Sequence, residues 1–158
     1  MSTEPKKVVV LGSVACGKTA LINRAVNNSF SAEYKATFGA DLTIKVSNEI
    51  KPSTLHIWNC SGHERYRALM EQFIICANVV VLCFDLLKTS SFSELTYWMA
   101  PDALVVLVGT KSDNSDDISI QHADALKQAK EWGIEYKAVS AKTGQNVNEL
   151  FTFIAQAV

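Results

Sequence analysis

Residues 12–19 read Gly-Ser-Val-Ala-Cys-Gly-Lys-Thr and fit the pattern G-x-x-x-x-G-K-[ST]. The pattern follows an apolar run of strand length and precedes a helical pattern, which is the context that a phosphate-binding loop requires. Backbone N–H groups in such a loop surround phosphate oxygens, and the helix N-terminus adds its partial positive charge. The segment therefore predicts a strand–loop–helix unit that binds phosphate.

Side chains of this loop have separate predicted roles. Lys18 is expected to reach the β- and γ-phosphates, and Thr19 to offer its hydroxyl to Mg²⁺. Cys16 would lie at a helix N-terminus beside Lys18, where a thiol can become reactive. We favour the simpler interpretation, a small residue inside the loop, because a bound triphosphate would oppose a thiolate. The other loop positions expected to contact the ligand are Ser13, Val14, Ala15 and Gly17.

Apolar runs of strand length alternate with helical patterns along the rest of the chain. The predicted strands cover residues 7–12, 42–46, 55–58, 79–84, 104–109 and 134–139. The predicted helices cover residues 20–27, 66–76, 92–99, 119–132 and 146–157. The second and third strands alternate apolar and polar residues across a short turn, so we expect an antiparallel hairpin. Because the other strands are mostly unbroken apolar runs, the pattern predicts an α/β fold, a mostly parallel six-stranded sheet with helices on both faces.

Composition restricts the class further. The chain has 158 residues, 48% of them apolar and 20% charged, which fits one ordered domain. A net charge of −1 gives no general attraction to nucleic acid or anionic lipid, so no nucleic-acid partner is expected. The four cysteines form no Cys-x-x-Cys pair and no signal-peptide pattern is present, which predicts reduced thiols in the cytoplasm.

Two further polar segments follow the later strands, where ligands of such sheets bind. They are Thr110-Lys111-Ser112-Asp113 and Ser140-Ala141-Lys142. With the phosphate loop, these segments resemble the Ras superfamily of small GTPases over essentially the whole chain. The similarity is greatest to the Rab branch, on residues 37–42, 55–58 and 82–85.

The resemblance implies that the later segments read a guanine base. Thr110, Lys111 and Asp113 match N-K-x-D, in which the aspartate accepts hydrogen bonds from guanine N1 and its exocyclic amine. Adenine lacks that pair of donors, so the site is expected to reject it. Thr110 replaces an asparagine that braces this loop, which predicts a looser loop. The segment formed by Ser140, Ala141 and Lys142 matches S-A-K, where a backbone N–H meets guanine O6.

The resemblance also implies two switch segments. Thr37 matches the switch I threonine that binds Mg²⁺ and the γ-phosphate, and Tyr34 and Phe30 match the aromatics that cover the phosphates and the guanine edge. Without the phosphate loop, these three would be ordinary loop or core residues. Residues 58–66 match the switch II pattern W-D-T-A-G-Q-E-R-[FY], in which Gly62 places its N–H on the γ-phosphate without a side chain in the way.

Four positions that serve Mg²⁺ or hydrolysis depart from the family pattern. Asn59 replaces the acid that helps to hold Mg²⁺ through water, and it lacks the charge that a hard dication prefers. His63 replaces the glutamine that orients the attacking water, and imidazole cannot present the same acceptor and donor pair. An exposed loop histidine without a role remains an open alternative. Val14 and Ala15 place side-chain atoms near the γ-phosphate, where hydrolysis needs space.

The implied function is a Rab-like molecular switch in vesicle traffic. Residues 1–158 would form one small-GTPase (G) domain that binds GTP or GDP with Mg²⁺, with His63 and Gly62 serving slow hydrolysis. A catalytically inactive module that holds GTP as a structural ligand is the alternative. A P-loop kinase using ATP is disfavoured by Asp113 and the Ser-Ala-Lys segment.

Partners and location are expected from the same resemblance. Effector and regulator proteins would bind switch I (residues 34–41) and switch II (residues 62–69). The chain ends where family members begin a variable tail with lipidated cysteines, and no cysteine follows Cys83. We therefore expect a domain cut from a longer chain or a member without a membrane anchor. Membrane association is expected only if a further tail is lipidated.

Overall fold

A computed structural model describes residues 4–48, 52–98, 100 and 102–158. The strands are β1 (Lys6–Gly12), β2 (Ala40–Ser47), β3 (Ser53–Cys60), β4 (Val79–Asp85), β5 (Leu104–Thr110) and β6 (Glu135–Ala138). The α-helices are α1 (Lys18–Asn27), α2 (Arg67–Ile74), α3 (Thr89–Ser93), α4 (His122–Trp132) and α5 (Val147–Ala157). Short 3-10 turns cover Glu64–Tyr66, Glu94–Trp98 and Ser115–Asp117. The middle of the predicted hairpin turn, Met99 and Pro101 lie outside the described residues.

The strands form one six-stranded sheet in the order β2-β3-β1-β4-β5-β6. Strand β1 pairs in parallel with β3 and β4, and the parallel pairing continues through β5 to β6. Only β2 runs the other way, antiparallel to β3 along its whole length. The predicted α/β fold and hairpin are thus confirmed. The carboxyl ends of five parallel strands therefore meet at one edge of the sheet.

Helices cover both faces of the sheet, and each face has its own apolar core. Successive side chains of β1 point to opposite faces, so Val8 packs with Leu21 of α1 and Phe151 of α5, while Val9 lies in the other cluster with Met70 of α2. All five of these side chains are buried. No helix of the described residues is long and apolar enough to span a bilayer.

At α4, the N-cap predicted at Ser119 is wrong and the end predicted at Gly133 is confirmed. The helix begins at His122, and its N-cap residue Gln121 makes no side-chain capping bond. The Ser119 hydroxyl instead donates to Leu87 O at 3.2 Å, so this serine anchors the preceding loop and does not cap the helix. Gly133 ends the helix in the left-handed conformation, with φ of 70° and its N–H directed to Ala129 O, as predicted.

Candidate functional site

Two adjoining cavities lie beyond the carboxyl ends of the strands, where an open α/β sheet binds its ligands. The larger, of about 420 Å³, is lined by the phosphate loop, residues 30–38 and part of residues 61–66. The smaller, of about 150 Å³, is lined mainly by residues 110–114 and 139–142. Gly17 and Phe30 line both cavities. The two cavities therefore form one elongated site.

The phosphate loop leaves β1 and enters α1 through two left-handed residues, Ala15 with φ of 59° and Gly17 with φ of 94°. Glycine is favoured in this conformation, because a Cβ atom crowds the backbone there. The Lys18 ammonium donates to Gly12 O at 2.9 Å and to Ser13 O at 2.7 Å. Lys18 is only 6% exposed, so these carbonyls hold its charge beneath the curve of the loop.

Gly62 brings the switch II segment against this loop. A Cβ atom built on Gly62 would lie 2.4 Å from Ser13 C and 2.5 Å from Val14 N. Only a residue without a side chain can approach the backbone so closely. The contact therefore places the Gly62 peptide against the phosphate loop, in the wall of the larger cavity.

Three residues predicted to bind a metal come together at one hydroxyl group. Thr19 Oγ1 lies 3.1 Å from Thr37 Oγ1, and Asn59 Nδ2 donates to Thr19 Oγ1 at 2.8 Å. Within the described ranges, no three or more His, Cys, Asp or Glu side chains are grouped so that they could hold a metal ion. The side-chain groups of these three residues that could bind a metal are thus two hydroxyls and one neutral amide.

The two aromatic residues predicted to cover a ligand lie at the open side of the larger cavity. Phe30 and Tyr34 both line the larger cavity, and they are 38% and 60% exposed. Both belong to residues 29–38, which form no helix or strand. These side chains are thus at the mouth of the cavity, where they can pack on a ligand.

Asp113 and Ser140 join the two base-binding segments predicted from the sequence. The Ser140 hydroxyl donates to Asp113 Oδ1 at 2.7 Å and accepts the Thr143 N–H at 3.1 Å. Ser140 is fully buried, and Asp113 lines the smaller cavity with Ala141 and Lys142. One carboxylate oxygen is therefore fixed by the protein, which leaves the other able to accept hydrogen bonds from a ligand.

Residues 110 and 111 connect the smaller cavity to the phosphate loop. The Thr110 hydroxyl shares its proton between Cys16 O and Phe84 O. Lys111 Nζ donates to Ala15 O at 3.2 Å and forms an ion pair with Asp85 Oδ2 at 2.7 Å. Threonine thus still braces the two loops, so the contacts do not support the loosening expected at this position.

Two residues that shape the site, Asp85 and Arg24, were not predicted from the sequence. Asp85 ends β4 and follows the rule that functional residues come directly after strands, so its position was a usable signal. Arg24 of α1 donates from Nε to Ala141 O at 2.7 Å and from Nη2 to Lys142 O at 2.8 Å. Nothing in the local sequence indicates contacts so distant along the chain.

Replacing Arg24 with glutamine is expected to lower the free energy of unfolding by about 2 kcal/mol, because charge-assisted hydrogen bonds to two backbone carbonyls are lost. Chemical denaturation at a fixed nucleotide concentration measures the change. The control is Lys127→Gln on the exposed face of α4, which we expect to stay within about 0.5 kcal/mol of the unmodified protein. Equal stability of the two variants would contradict the role assigned to Arg24.

His63 is held by the backbone at the start of switch II. It is the N-cap of the 3-10 turn Glu64–Tyr66, and its Nδ1 accepts the Arg65 N–H at 3.2 Å. The proton of the neutral ring therefore lies on Nε2. His63 lines the larger cavity, so the nitrogen left free for a ligand is a donor.

The thiols differ sharply in exposure. Cys16, Cys60 and Cys83 are buried and Cys76 is exposed, and all four are free. Burial raises the pKa of Cys16 despite the opposing charge of Lys18, raises the pKa of Cys60 to about 12, and raises that of Cys83 well above its usual range. These shifts favour the simpler interpretation of Cys16, a small residue packed inside the loop.

Iodoacetamide at pH 8 is expected to modify the folded protein at Cys76 alone, because the buried thiols are inaccessible and protonated. Intact mass and peptide mapping would give one adduct on the native chain and four after denaturation. Cys76→Ser is the control and should give no adduct in the native state. Rapid modification of Cys16 would contradict this expectation.

Comparison with known proteins agrees with this geometry. The sequence profile described as Ras family matches residues 7–158. The chain is also similar to "Ras-related protein Rab-34" of Rattus norvegicus, with 34% identity over 160 residues. That alignment covers 94% of this chain and 62% of the relative, so the chain spans less than two thirds of the relative's length.

Proposed function

The chain belongs to the Ras family and is Rab-like, and on that premise we propose that it is a guanine-nucleotide-binding molecular switch. The observation that carries the proposal is the continuous path from Asp113, which is fixed by Ser140, to the buried ammonium of Lys18. A carboxylate acceptor at one end suits the paired donors of guanine, and a lysine within a loop of N–H groups suits phosphates. The two cavities adjoin, as a nucleotide requires.

Hydrolysis of GTP is proposed to be slow. An attacking water must turn its lone pair toward the γ-phosphorus while its protons are accepted by a neighbouring group. The neutral His63 ring offers a donor from Nε2, because Nδ1 is already bonded to the Arg65 N–H. Val14 and Ala15 are both exposed to the larger cavity, and their side chains occupy space beside the phosphate end.

A module that holds nucleotide without turning it over is the second candidate function. It is favoured by the contrast between the two ends of the site. The Asp113 carboxylate, fixed by Ser140, provides an acceptor at the base end. At the phosphate end, Asn59 provides no carboxylate, and the one acceptor nitrogen of His63 is already used by the Arg65 N–H. In this case the nucleotide would stabilise the fold and its binding surfaces without a cycle.

Residues 1–158 are proposed to form one G domain whose switch surfaces bind effectors and regulators. Switch I, residues 34–41, carries the exposed rings of Tyr34 and Phe38. Switch II, residues 62–69, carries the exposed side chain of Leu69. Exposed apolar side chains of this kind suit protein partners. By its Rab-like character, we place the switch in vesicle traffic.

The nucleotide released by the purified protein on denaturation tests the proposal. Chromatography should identify GDP or GTP in near-equal amount to the protein. GDP would support a cycling switch, and GTP would support the module that does not turn it over. Release of adenine nucleotide, or of none after incubation with GDP and Mg²⁺, would contradict a guanine-nucleotide protein.

A further inference from the structure

Asn59 places a neutral amide where the hydroxyls of Thr19 and Thr37 meet. Asn59 is 5% exposed, and its Nδ2 donates to Thr19 Oγ1 at 2.8 Å. Its Oδ1 is buried and has no hydrogen-bond partner in the part of the chain that the structure describes. A buried polar atom without a partner is costly unless a ligand or water completes it. The arrangement therefore marks a polar position beside the phosphate loop that carries no negative charge.

The donors at this position match Mg²⁺ in shape but not in charge. The two hydroxyl oxygens are 3.1 Å apart, and neighbouring ligands of octahedral Mg²⁺ lie about 2.9 Å apart for bonds of about 2.05 Å. Thr19 and Thr37 fit such an edge. Mg²⁺ is normally bound through carboxylates as well as phosphates, and the third side chain here, Asn59, contributes none.

The walls of the larger cavity supply positive charge from the protein itself. Among the described lining residues, the cationic side chains are Lys18, Lys35, Arg65 and Lys111, and the only carboxylate is that of Glu33. Lys111 is already paired with Asp85. A polyphosphate bound here would meet the buried Lys18 ammonium and backbone N–H groups, and no carboxylate would face it from position 59.

A carboxylate beside bound phosphates has two opposite effects. It attracts a dication, and it repels the phosphates strongly when that dication is removed, because both charges are negative and close in a partly buried site. An amide of the same shape removes both effects. The affinity for nucleotide then depends on the loop and on Lys18, and much less on a metal.

We propose that this chain retains guanine nucleotide largely independently of Mg²⁺, and that Asn59 is the residue that sets this independence. The proposal rests on the guanine-nucleotide-binding function proposed above. It concerns regulation of that site, since removing the cation would not trigger release of the nucleotide.

Release of a fluorescent GDP analogue from the full chain tests the proposal. Excess unlabelled GDP is added with either Mg²⁺ or EDTA, and the two release rates are compared. In the unmodified protein, EDTA is expected to accelerate release by less than about tenfold; in Asn59→Asp, the acceleration should exceed about tenfold, because the new carboxylate couples retention to the cation.

Two control variants separate charge at this position from charge in general. Asn148→Asp makes the same change on the exposed first turn of α5, and its EDTA effect should equal that of the unmodified protein. Asn59→Ala removes the amide without adding charge, so its EDTA effect should also stay below about tenfold. If Asn59→Asp fails to fold, the unmodified protein still decides whether retention depends on Mg²⁺, and an EDTA effect of about tenfold or more in Asn59→Ala would overturn the role given to the missing charge.

The proposal is overturned if EDTA accelerates release from the unmodified protein by about tenfold or more. It is also overturned if EDTA accelerates release from folded Asn59→Asp no more than from the unmodified protein. Failure to bind the GDP analogue even with Mg²⁺ is a different result. It would overturn the guanine-nucleotide function itself, and this inference with it.

Discussion

Replacing Asp113 with asparagine is expected to lower the affinity for GDP by about 100-fold or more and to create affinity for xanthosine diphosphate. Asparagine can keep the Ser140 contact through Oδ1, which places its NH₂ group where the second carboxylate oxygen faced the smaller cavity. That NH₂ would oppose the N–H donors of guanine. Losing two hydrogen bonds to a charged acceptor costs about 3 kcal/mol or more, which corresponds to that factor.

Competition between fluorescent GDP and unlabelled GDP or xanthosine diphosphate measures both affinities. Xanthine has an oxygen in place of the exocyclic amine, so it can accept a hydrogen bond from the new NH₂. Asp116→Asn is the matched control, because it removes the same charge from the exposed neighbouring turn. GDP affinity of Asp113→Asn within about threefold of the unmodified protein would show that Asp113 does not bind the base.

Replacing His63 with glutamine is expected to raise the single-turnover rate of GTP hydrolysis by about tenfold or more. In the unmodified protein, the Arg65 N–H occupies Nδ1, so the ring offers a donor to the water. Glutamine presents an amide oxygen that can accept a water proton as well as an NH₂ group. Phosphate release from protein preloaded with GTP measures the rate.

His122→Gln is the control for this change. His122 lies at the start of α4, where it contacts the Tyr136 hydroxyl at 2.8 Å, and it lines neither cavity. Its replacement should leave the hydrolysis rate unchanged. If His63→Gln were no faster than the unmodified protein, space at Val14 and Ala15, and not the missing water acceptor, would limit the chemistry.

Much of the fold could be predicted because its signals are local. The unbroken apolar runs of β4 and β5 identify strands buried on both faces, and alternation in β2 and β3 identifies a hairpin with one exposed face. The start of α4 could not be read in the same way. Serine is a residue type that often caps a helix, but the Ser119 hydroxyl donates to Leu87 O. That contact joins segments distant in sequence.

In the candidate site too, some residues could be predicted from local sequence, and others are placed by contacts distant in sequence. The spacing of the phosphate loop fixes Lys18 and Thr19 by itself, since those side chains act within one turn of chain. Arg24 belongs to the site only because α1 lies beside the loop after β6, which no local pattern describes. The tautomer of His63 likewise depends on the backbone geometry of the turn that follows it.

The hydrogen bonds from Thr110 and Lys111 to carbonyls of the phosphate loop have a consequence for binding thermodynamics. Once a base has ordered residues 110–113, the joined phosphate loop has less conformational entropy left to lose when phosphates bind. Binding at the two ends is therefore expected to be cooperative, and losses from variants at both ends should not simply add. Guanosine and free phosphate, supplied separately, would forfeit the high effective concentration that one covalent molecule provides.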